Sequence, residues 1–209
     1  IEFLYLKTII DKFYFDQIYH EHLFYYNIET LNTFLKKYDL EIFDFELSSI
    51  HGGQVVAYIS HKGGKKIKKR LQNALFKEKK YKVNTPGYFK KFCSITNKSK
   101  NTAIKKLDQY RDQNKIIVGL GAPAKGNTLM NYYNLNNQHI DLLVEKNPLR
   151  INKLSPGSNI PIMMESDLRI KPDIFLVLIW NLKNDIKKKI RKKFKGSKFI
   201  FPKDFLKYK

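Results

Sequence analysis

The chain carries four consecutive side chains that can donate or accept protons, Tyr19, His20, Glu21 and His22, in a stretch that is otherwise aromatic and aliphatic. If the segment is extended, Tyr19 and Glu21 point to one side and the two histidines to the other. A carboxylate beside an imidazole fixes the tautomer of the ring and raises its basicity, and a phenol can exchange a proton with a substrate oxygen. Two interpretations follow: a general acid–base site, or the end of a strand with solvated side chains.

Metal binding is a third use for the same residues, because His20 and His22 would share one face of a strand. The chain has a single cysteine, Cys93, and no other cluster of histidines or carboxylates. Protein metal centres need three or four such ligands. We therefore expect no metal site in this chain.

A glycine-rich stretch beginning at Gly121 offers a different chemistry. Residues 115–121 have the composition of a buried strand, and residues from Leu129 onward have that of a helix. A strand, a glycine-rich loop and a helix in this order present backbone N–H groups to a phosphate, and Lys125 would add positive charge. The spacing is neither G-x-G-x-x-G nor that of a Walker loop, so both a phosphate contact and a simple tight turn remain open.

The first third of the chain predicts a small antiparallel unit. Residues 1–12 have the pattern of the last turns of a helix, residues 13–24 read as a β-rich segment, and Asn27 is a candidate helix cap. Strands are expected over 41–48 and 54–60, with Phe43, Phe45 and Leu47 sharing one face. The loop between these strands contains His51-Gly52-Gly53. Because glycine adopts positive φ at no steric cost, an antiparallel pair is expected, and the Gly-Gly pair also admits the close approach of a ligand.

The remainder predicts a helical connector and then an α/β unit. Helices are expected over 65–82 and 88–113, with a break at 97–101. Strands and helices alternate from residue 115, which predicts a three-layer parallel sheet. Ligands of such sheets collect beyond the carboxyl ends of the strands, which points to Asn147 and Asn181. The expected strands are 115–121, 140–144, 160–162, 173–179 and 198–201.

The formal net charge of +21 invites a nucleic-acid interpretation, which other features disfavour. Of the 40 basic residues only five are arginine, and the lysines are spread along most helical faces, whereas base-reading sites favour arginine. The lone cysteine favours a reducing, cytoplasmic setting. The longest apolar run, residues 174–180, is too short to span a membrane. We expect neither nucleic acid nor membrane as a partner.

Several longer stretches occur in order along the chain: FDQIYHEH (15–22), HGG (51–53), GLGAPAKGNTLMNY (119–132), EKNP followed by PGSNIPI (145–162), and KPDIFLVLIWNL (171–182). In this order they resemble the sugar C-methyltransferases that act on nucleotide-linked deoxysugars. The resemblance covers essentially the whole chain.

The resemblance implies a protein of three parts: a zinc-binding domain, a class I S-adenosylmethionine domain, and a Rossmann-like domain that helps to hold the sugar nucleotide. On this basis residues 1–62 are expected to be the end of the methyltransferase sheet, 63–113 a connector and 114–209 the Rossmann-like domain. Zinc and the main S-adenosylmethionine loop would then belong to an amino-terminal part, which we expect to be missing because the chain opens at Ile1 in patterned sequence. The 209 residues alone are then expected to be inactive as a methyltransferase.

The chemistry of such enzymes explains the residues carried over by the resemblance. A methyl group is added to a sugar carbon beside a keto group, which requires removal of the α-proton and stabilisation of the enolate. The resemblance implies His22 as the base, with Tyr19 as its rival or as the acid, and Glu21 as the orienting carboxylate; His20 is expected to be structural. The substrate-binding residues are expected to be His51, Gly52, Gly121, Lys125, Gly126, Asn127, Asn147 and Asn181.

The sequence departs from the family at three positions. Asn152 stands where a glycine is usual, Gln54 where a serine is usual and Val56 where an arginine is usual. Asparagine tolerates positive φ, so the first change fits the same backbone. We expect a monomer. The alternative functions are a non-catalytic nucleotide-sugar-binding remnant and, more distantly, a basic nucleic-acid-binding protein.

Overall fold

The structure is a computed structural model that describes residues 1–48, 52–179, 188, 190 and 192–206. The chain forms two compact units. The first comprises Ile1–Phe15 and His20–Ser94, and the second comprises Asp16–Tyr19 and Ile95–Lys209. The fold is α/β.

The first unit is a three-stranded antiparallel sheet with helices packed against it. The sheet order is β1-β3-β2, and the long β2–β3 pair confirms the predicted antiparallel pair. Its core contains Ile28, Leu31, Ile42, Val55 and Leu71, all buried. The elements are β1 (Glu2–Leu4), α1 (Leu6–Asp11), α2 (Ile28–Leu35), β2 (Leu40–Ser48), β3 (Gln54–His61) and α3 (Lys69–Lys80).

A buried carboxylate ties α3 to the start of α2. Glu78 is 1 % exposed, and its Oε1 accepts hydrogen bonds from the Tyr5 hydroxyl (2.6 Å) and the Ile28 N–H (2.9 Å). Its Oε2 accepts from the Glu29 N–H at 2.8 Å. Glu78 thus satisfies two of the N–H groups that the first turn of any helix leaves without a partner. Asn27 is the N-cap of α2, as the sequence predicts.

The prediction for residues 13–24 is wrong: the structure describes this whole stretch and shows no strand in it. Phe13 ends α1 with a φ of 55°, and Phe15–Gln17 form a single 3₁₀ turn in which Asp16 and Gln17 are buried. Aromatic β-propensity reflects the fit of a side chain to a pleated, half-buried surface. Here Phe15 is buried without strand pairing and Phe24 is 73 % exposed. The two-sided alternation expected for Tyr19–His22 therefore does not apply.

Two further predictions in the connector and in β2 are corrected. The helix α4 (Pro86–Asp112) runs unbroken through residues 97–101. Ser99 in this stretch is buried and hydrogen-bonded to the Tyr133 hydroxyl at 2.6 Å, so tertiary contacts outweigh a weak helix propensity. In β2 a register shift between Ile42 and Asp44 takes Phe43 out of the predicted alternation. Phe45 and Leu47 lie beyond the shift and share a face, but Leu47 is 66 % exposed.

The second unit is built on a six-stranded sheet in the order β6-β7-β5-β4-β8-β9. All neighbouring pairs are parallel except β6–β7, so the predicted parallel sheet carries one antiparallel edge strand. The order reverses at β4: the chain continues to β5 and β7 on one side of β4 and then returns to β8 on its other side. Ligand sites of open sheets lie at such a reversal. The elements are β4 (Ile117–Leu120), α5 (Ala124–Tyr133), β5 (Leu142–Glu145), β6 (Lys153–Leu154), β7 (Pro161–Met164), β8 (Ile174–Val177) and β9 (Lys198–Ile200).

This sheet is covered on both faces, as three layers require. Val177 packs with Ile190 and Phe194 on one face. Successive strand residues point to opposite faces. Accordingly Leu178 points to the other face, where Gly126 of α5 approaches it so closely that an added Cβ would lie 3.0 Å from Leu178 Cβ. Within the described residues no helix is both long enough and apolar enough to cross a membrane.

Candidate functional site

The glycine-rich loop lies at the carboxyl end of β4, where the strand order reverses. Gly121 has a φ of 86°, and a Cβ at this position would lie 2.7 Å from Ile179 Cγ2, just beyond β8. The Gly121 N–H donates to the Val144 carbonyl at 2.8 Å. Pro123 is the N-cap of α5, which begins at Ala124. Only glycine fits the first position of this turn, and the first turn of α5 opens at the edge of the sheet where ligands bind.

An ion pair holds Ala122 in this loop by both of its backbone groups. Glu145 Oε2 accepts from the Ala122 N–H at 2.9 Å, and Arg150 Nη1 donates to the Ala122 carbonyl at 3.1 Å. The same Arg150 nitrogen also donates to Glu145 Oε2 at 3.1 Å. We call Glu145 and Arg150 the loop clamp.

Glu145 also shapes the next turn. Its Oε1 accepts from the N–H groups of Lys146 (2.7 Å) and Asn147 (3.2 Å). Burial alone would raise the pKa of Glu145. The bonds from the Ala122, Lys146 and Asn147 N–H groups and from Arg150 favour the carboxylate and lower the pKa below its usual value. Glu145 is therefore held as an anion.

Lys125 lies in the first turn of α5 with its side chain partly buried. Burial lowers the pKa of its ammonium below the usual value, and the charge of Asp16 acts in the opposite direction. Asp16 is itself buried and belongs to the same unit. A cation that is poorly solvated and close to helix N–H groups can gain by meeting an anionic ligand.

Two asparagines expected to bind substrate have different surroundings. Asn127 Oδ1 is buried and has no hydrogen-bond partner among the described residues. Asn147 Oδ1 accepts from the Leu149 N–H at 3.1 Å and so caps a 3₁₀ turn, Pro148–Arg150. The oxygen of Asn147 is committed to the backbone, which leaves its amide nitrogen for any ligand contact.

The proton-handling residues are divided between the units: Tyr19 belongs to the second and His20–His22 to the first. Tyr19 and His22 are half-buried, whereas His20 and Glu21 are exposed. The His22 ring packs edge-on against Tyr25, with centroids 5.9 Å apart. Within the described part of the chain Glu21 makes no hydrogen bond or ion pair. Its role as the orienting carboxylate remains a prediction.

The structure places the other predicted site residues as follows. Gly52 is half-buried with a φ of 93°, the positive φ expected for this glycine pair. Asn152 likewise has a φ of 58°, as expected for a residue that replaces glycine. His51 and Asn181 lie outside the described residues.

The sequence therefore predicts the loop residues Gly121, Lys125, Gly126 and Asn127, which the structure places together at the start of α5. The loop clamp is not predicted from the sequence. A signal for it is present, because the carboxylate of Glu145 ends β5 and Arg150 follows five positions later. Among the described residues no group of three histidine, cysteine or carboxylate side chains could hold a metal.

Comparison with known proteins identifies the family. Residues 49–203 match the model of the C-methyltransferase C-terminal domain. The chain is also similar to the C-methyltransferase NovU of Streptomyces niveus, with 27 % identity over 206 residues. That alignment covers 97 % of this chain and 49 % of NovU, so the chain spans about half the length of its curated relative. The match to the family model extends over most of the chain, from before β3 to beyond β9, and the chain belongs to the C-methyltransferase C-terminal domain family.

Proposed function

We propose that this chain supplies the substrate-holding and proton-abstracting groups of an S-adenosylmethionine-dependent C-methyltransferase that acts on a nucleotide-linked keto-deoxysugar. The observation that carries the proposal is the family match over residues 49–203, which includes the loop between β4 and α5. C-methylation needs a carbon nucleophile, which a keto sugar provides once a proton is removed from the carbon beside the carbonyl.

The roles proposed for the chain's own residues follow from their chemistry. His22, which is half-buried, is the base that removes the α-proton, because histidine is the side chain that most often acts as a general base. Tyr19 is the donor to the enolate oxygen and the rival candidate for the base. Glu21 orients His22 once substrate is bound.

The loop between β4 and α5 is proposed as the site of the substrate's diphosphate. Gly121 and Gly126 allow the backbone to come close, and the first turn of α5 presents N–H groups that favour an anion. Lys125 and the amide nitrogen of Asn147 add a charge and a donor. Asn127, Gly52, His51 and Asn181 complete the proposed substrate set.

We propose that the methyl donor is bound outside the described residues. The strands of the first unit are antiparallel to one another. Within the described residues, the glycine-rich loop at Gly121 joins a strand to a helix, and we assign that loop to the sugar nucleotide. We propose residues 1–62 as the end of the methyltransferase core, 63–113 as a connector and 114–209 as the substrate-holding domain. S-adenosylmethionine and zinc would be held by a separate amino-terminal part.

Calorimetric titration of the 209-residue chain with nucleotide-linked sugars tests the substrate class. We expect a nucleotide-linked keto-deoxysugar to bind, and the same sugar without its nucleotide diphosphate to bind at least tenfold more weakly. Equal affinity for the two would rule out the diphosphate site. A steep fall in affinity for DNA or RNA with salt, without sugar-nucleotide binding, would favour a nucleic-acid function instead.

The second candidate is a protein that binds a nucleotide-linked sugar without changing it. The exposure of His20 and Glu21, and the lack of a described bond to Glu21, favour this alternative. It predicts tight sugar-nucleotide binding together with no exchange of the sugar's α-proton.

A further inference from the structure

The structure assigns a role to two residues outside the proposed substrate set: we propose that Glu145 and Arg150, the loop clamp, are positioning residues for the diphosphate of the substrate. The inference rests on the proposed function, because it explains how the loop between β4 and α5 is kept ready for that ligand.

The first step is that the clamp acts on the backbone of the loop at a single residue. Ala122 lies between Gly121, which carries a positive φ, and Pro123, which caps α5. Its N–H and its carbonyl are bonded to Glu145 and Arg150 respectively. Fixing both groups fixes the two peptide planes that join β4 to α5, and with them the direction of the first turn of the helix.

The second step is that the clamp is rigid on its other side. Glu145 is the last residue of β5, and its second oxygen accepts from two N–H groups of the following turn. Four donors therefore converge on one carboxylate. The partly buried pair gains from charge-assisted hydrogen bonds, which are stronger than neutral ones.

The third step concerns the geometry at Arg150. A single nitrogen, Nη1, makes both contacts, to the Ala122 carbonyl and to Glu145. A lysine ammonium has three donors on one nitrogen and can make the same two contacts, whereas an arginine that grips a phosphate uses its planar fork. If Arg150 positions the loop, lysine at this position should preserve its function. If Arg150 contacts the phosphate directly, lysine should not replace it.

The fourth step concerns what the clamp leaves unchanged. Arg150 and Glu145 cancel each other in charge, so the pair adds no net attraction for an anion. Its effect on affinity would come from preorganisation, because a loop that is already ordered loses less conformational freedom on binding. The clamp should therefore affect ligands with a diphosphate and leave the nucleoside part of the affinity intact.

The test compares four variants of the chain, Arg150→Gln, Arg150→Lys, Glu145→Gln and Arg169→Gln, by calorimetric titration with a nucleoside diphosphate and with the corresponding nucleoside. Arg169 is an exposed arginine of the same unit and controls for the loss of one positive charge. Thermal unfolding of each variant is measured in parallel.

We expect Arg150→Gln and Glu145→Gln to weaken nucleoside diphosphate binding about tenfold or more, while nucleoside binding stays the same. Arg150→Lys should remain within about threefold of the wild type, and Arg169→Gln should equal it. If Glu145→Gln does not fold, the comparison of Arg150→Gln with Arg150→Lys tests the positioning role by itself.

Three results would overturn the inference. Wild-type affinity in Arg150→Gln would show that the clamp does not position the loop. A loss in Arg150→Lys as large as in Arg150→Gln would make Arg150 a direct ligand contact. If the wild-type chain binds no nucleoside diphosphate, the proposed function fails together with the inference, whereas the first two results leave the proposed function intact.

Discussion

At the scale of single residues, Lys125 places a partly buried cation in the first turn of α5, within the loop proposed to hold the diphosphate. Its ammonium is partly buried, and burial lowers its pKa although Asp16 acts in the opposite direction. A lysine in these surroundings gains from an anionic partner.

This gives a prediction for Lys125→Met, which keeps the aliphatic stem and removes the charge. A charged hydrogen bond contributes about 1.5–3 kcal/mol, so nucleoside diphosphate affinity should fall about 10- to 100-fold. The unfolding midpoint should also fall, because the substitution removes the cation that attracts the buried Asp16. Titration calorimetry and thermal unfolding measure the two effects. Lys105→Met, an exposed position on α4, is the control, and an equal loss of affinity there would attribute the effect to net charge alone.

Residues of the site differ in how well the sequence predicts them. Gly121 and Lys125 are predicted because glycine and lysine between a strand and a helix carry a local signal. The loop clamp is missed because its bond pattern depends on β5 lying beside β4, which is a tertiary fact. The capping role of Asn147 is missed for a related reason, since an amide beyond a strand end looks the same whether it binds a ligand or the backbone.

At the scale of elements, the junction of β4 with α5 depends on the glycine at its corner. Gly121 has a positive φ and lies against Ile179. An alanine there combines an unfavourable left-handed backbone, at about 1–2 kcal/mol, with a steric conflict.

We therefore predict that Gly121→Ala destabilises the second unit by about 1–3 kcal/mol. Urea unfolding followed by far-UV circular dichroism measures the change in the unfolding midpoint. Gly87→Ala is the matched control, because nothing lies within 4 Å of its added Cβ and it lies in the first turn of α4. Equal midpoints for Gly121→Ala and the wild type would show that the corner tolerates a side chain.

Seven strands of the two sheets are predictable from short apolar runs between turn residues, and their bounds lie within two residues of the structure. The other two are not: β1 lies in a stretch predicted to be helical, and the two-residue β6 has no predicted counterpart. The structure of residues 13–24 is not predictable in this way, because a run of aromatic residues has the composition of a strand whether or not a partner strand exists. The unbroken α4 was missed because the polar residues 97–101 are held by packing partners such as Tyr133, which lie far away in sequence.

At the scale of the whole molecule, the second unit contains its own sheet and its own buried cluster. We predict that residues 86–209, which retain the whole of α4, fold by themselves. A single cooperative transition in far-UV circular dichroism is expected, with a midpoint below that of the whole chain because Asp16–Tyr19 are lost. A broad, uncooperative melt with strong dye binding would contradict this.

The first unit leads to a prediction about the methyl donor. Its three described strands are antiparallel, and they present no glycine-rich junction with a helix of the kind expected to hold S-adenosylmethionine. Titration of the 209-residue chain with S-adenosylmethionine should release no heat of binding. Micromolar affinity would contradict the proposed division of labour between this chain and a separate amino-terminal part.

The central claim, that this chain abstracts the α-proton of a keto sugar, is tested most directly by deuterium exchange, which requires no methyl donor. The chain is incubated in deuterium oxide with a nucleotide-linked keto-deoxysugar, and the mass of the sugar is followed against a sample without protein. We predict enzyme-dependent uptake that His22→Ala slows by about 10²- to 10⁴-fold. The control His20→Ala, an exposed neighbour, should leave the rate unchanged. Equal rates for wild type and His22→Ala, or no exchange above the sample without protein, would contradict the account.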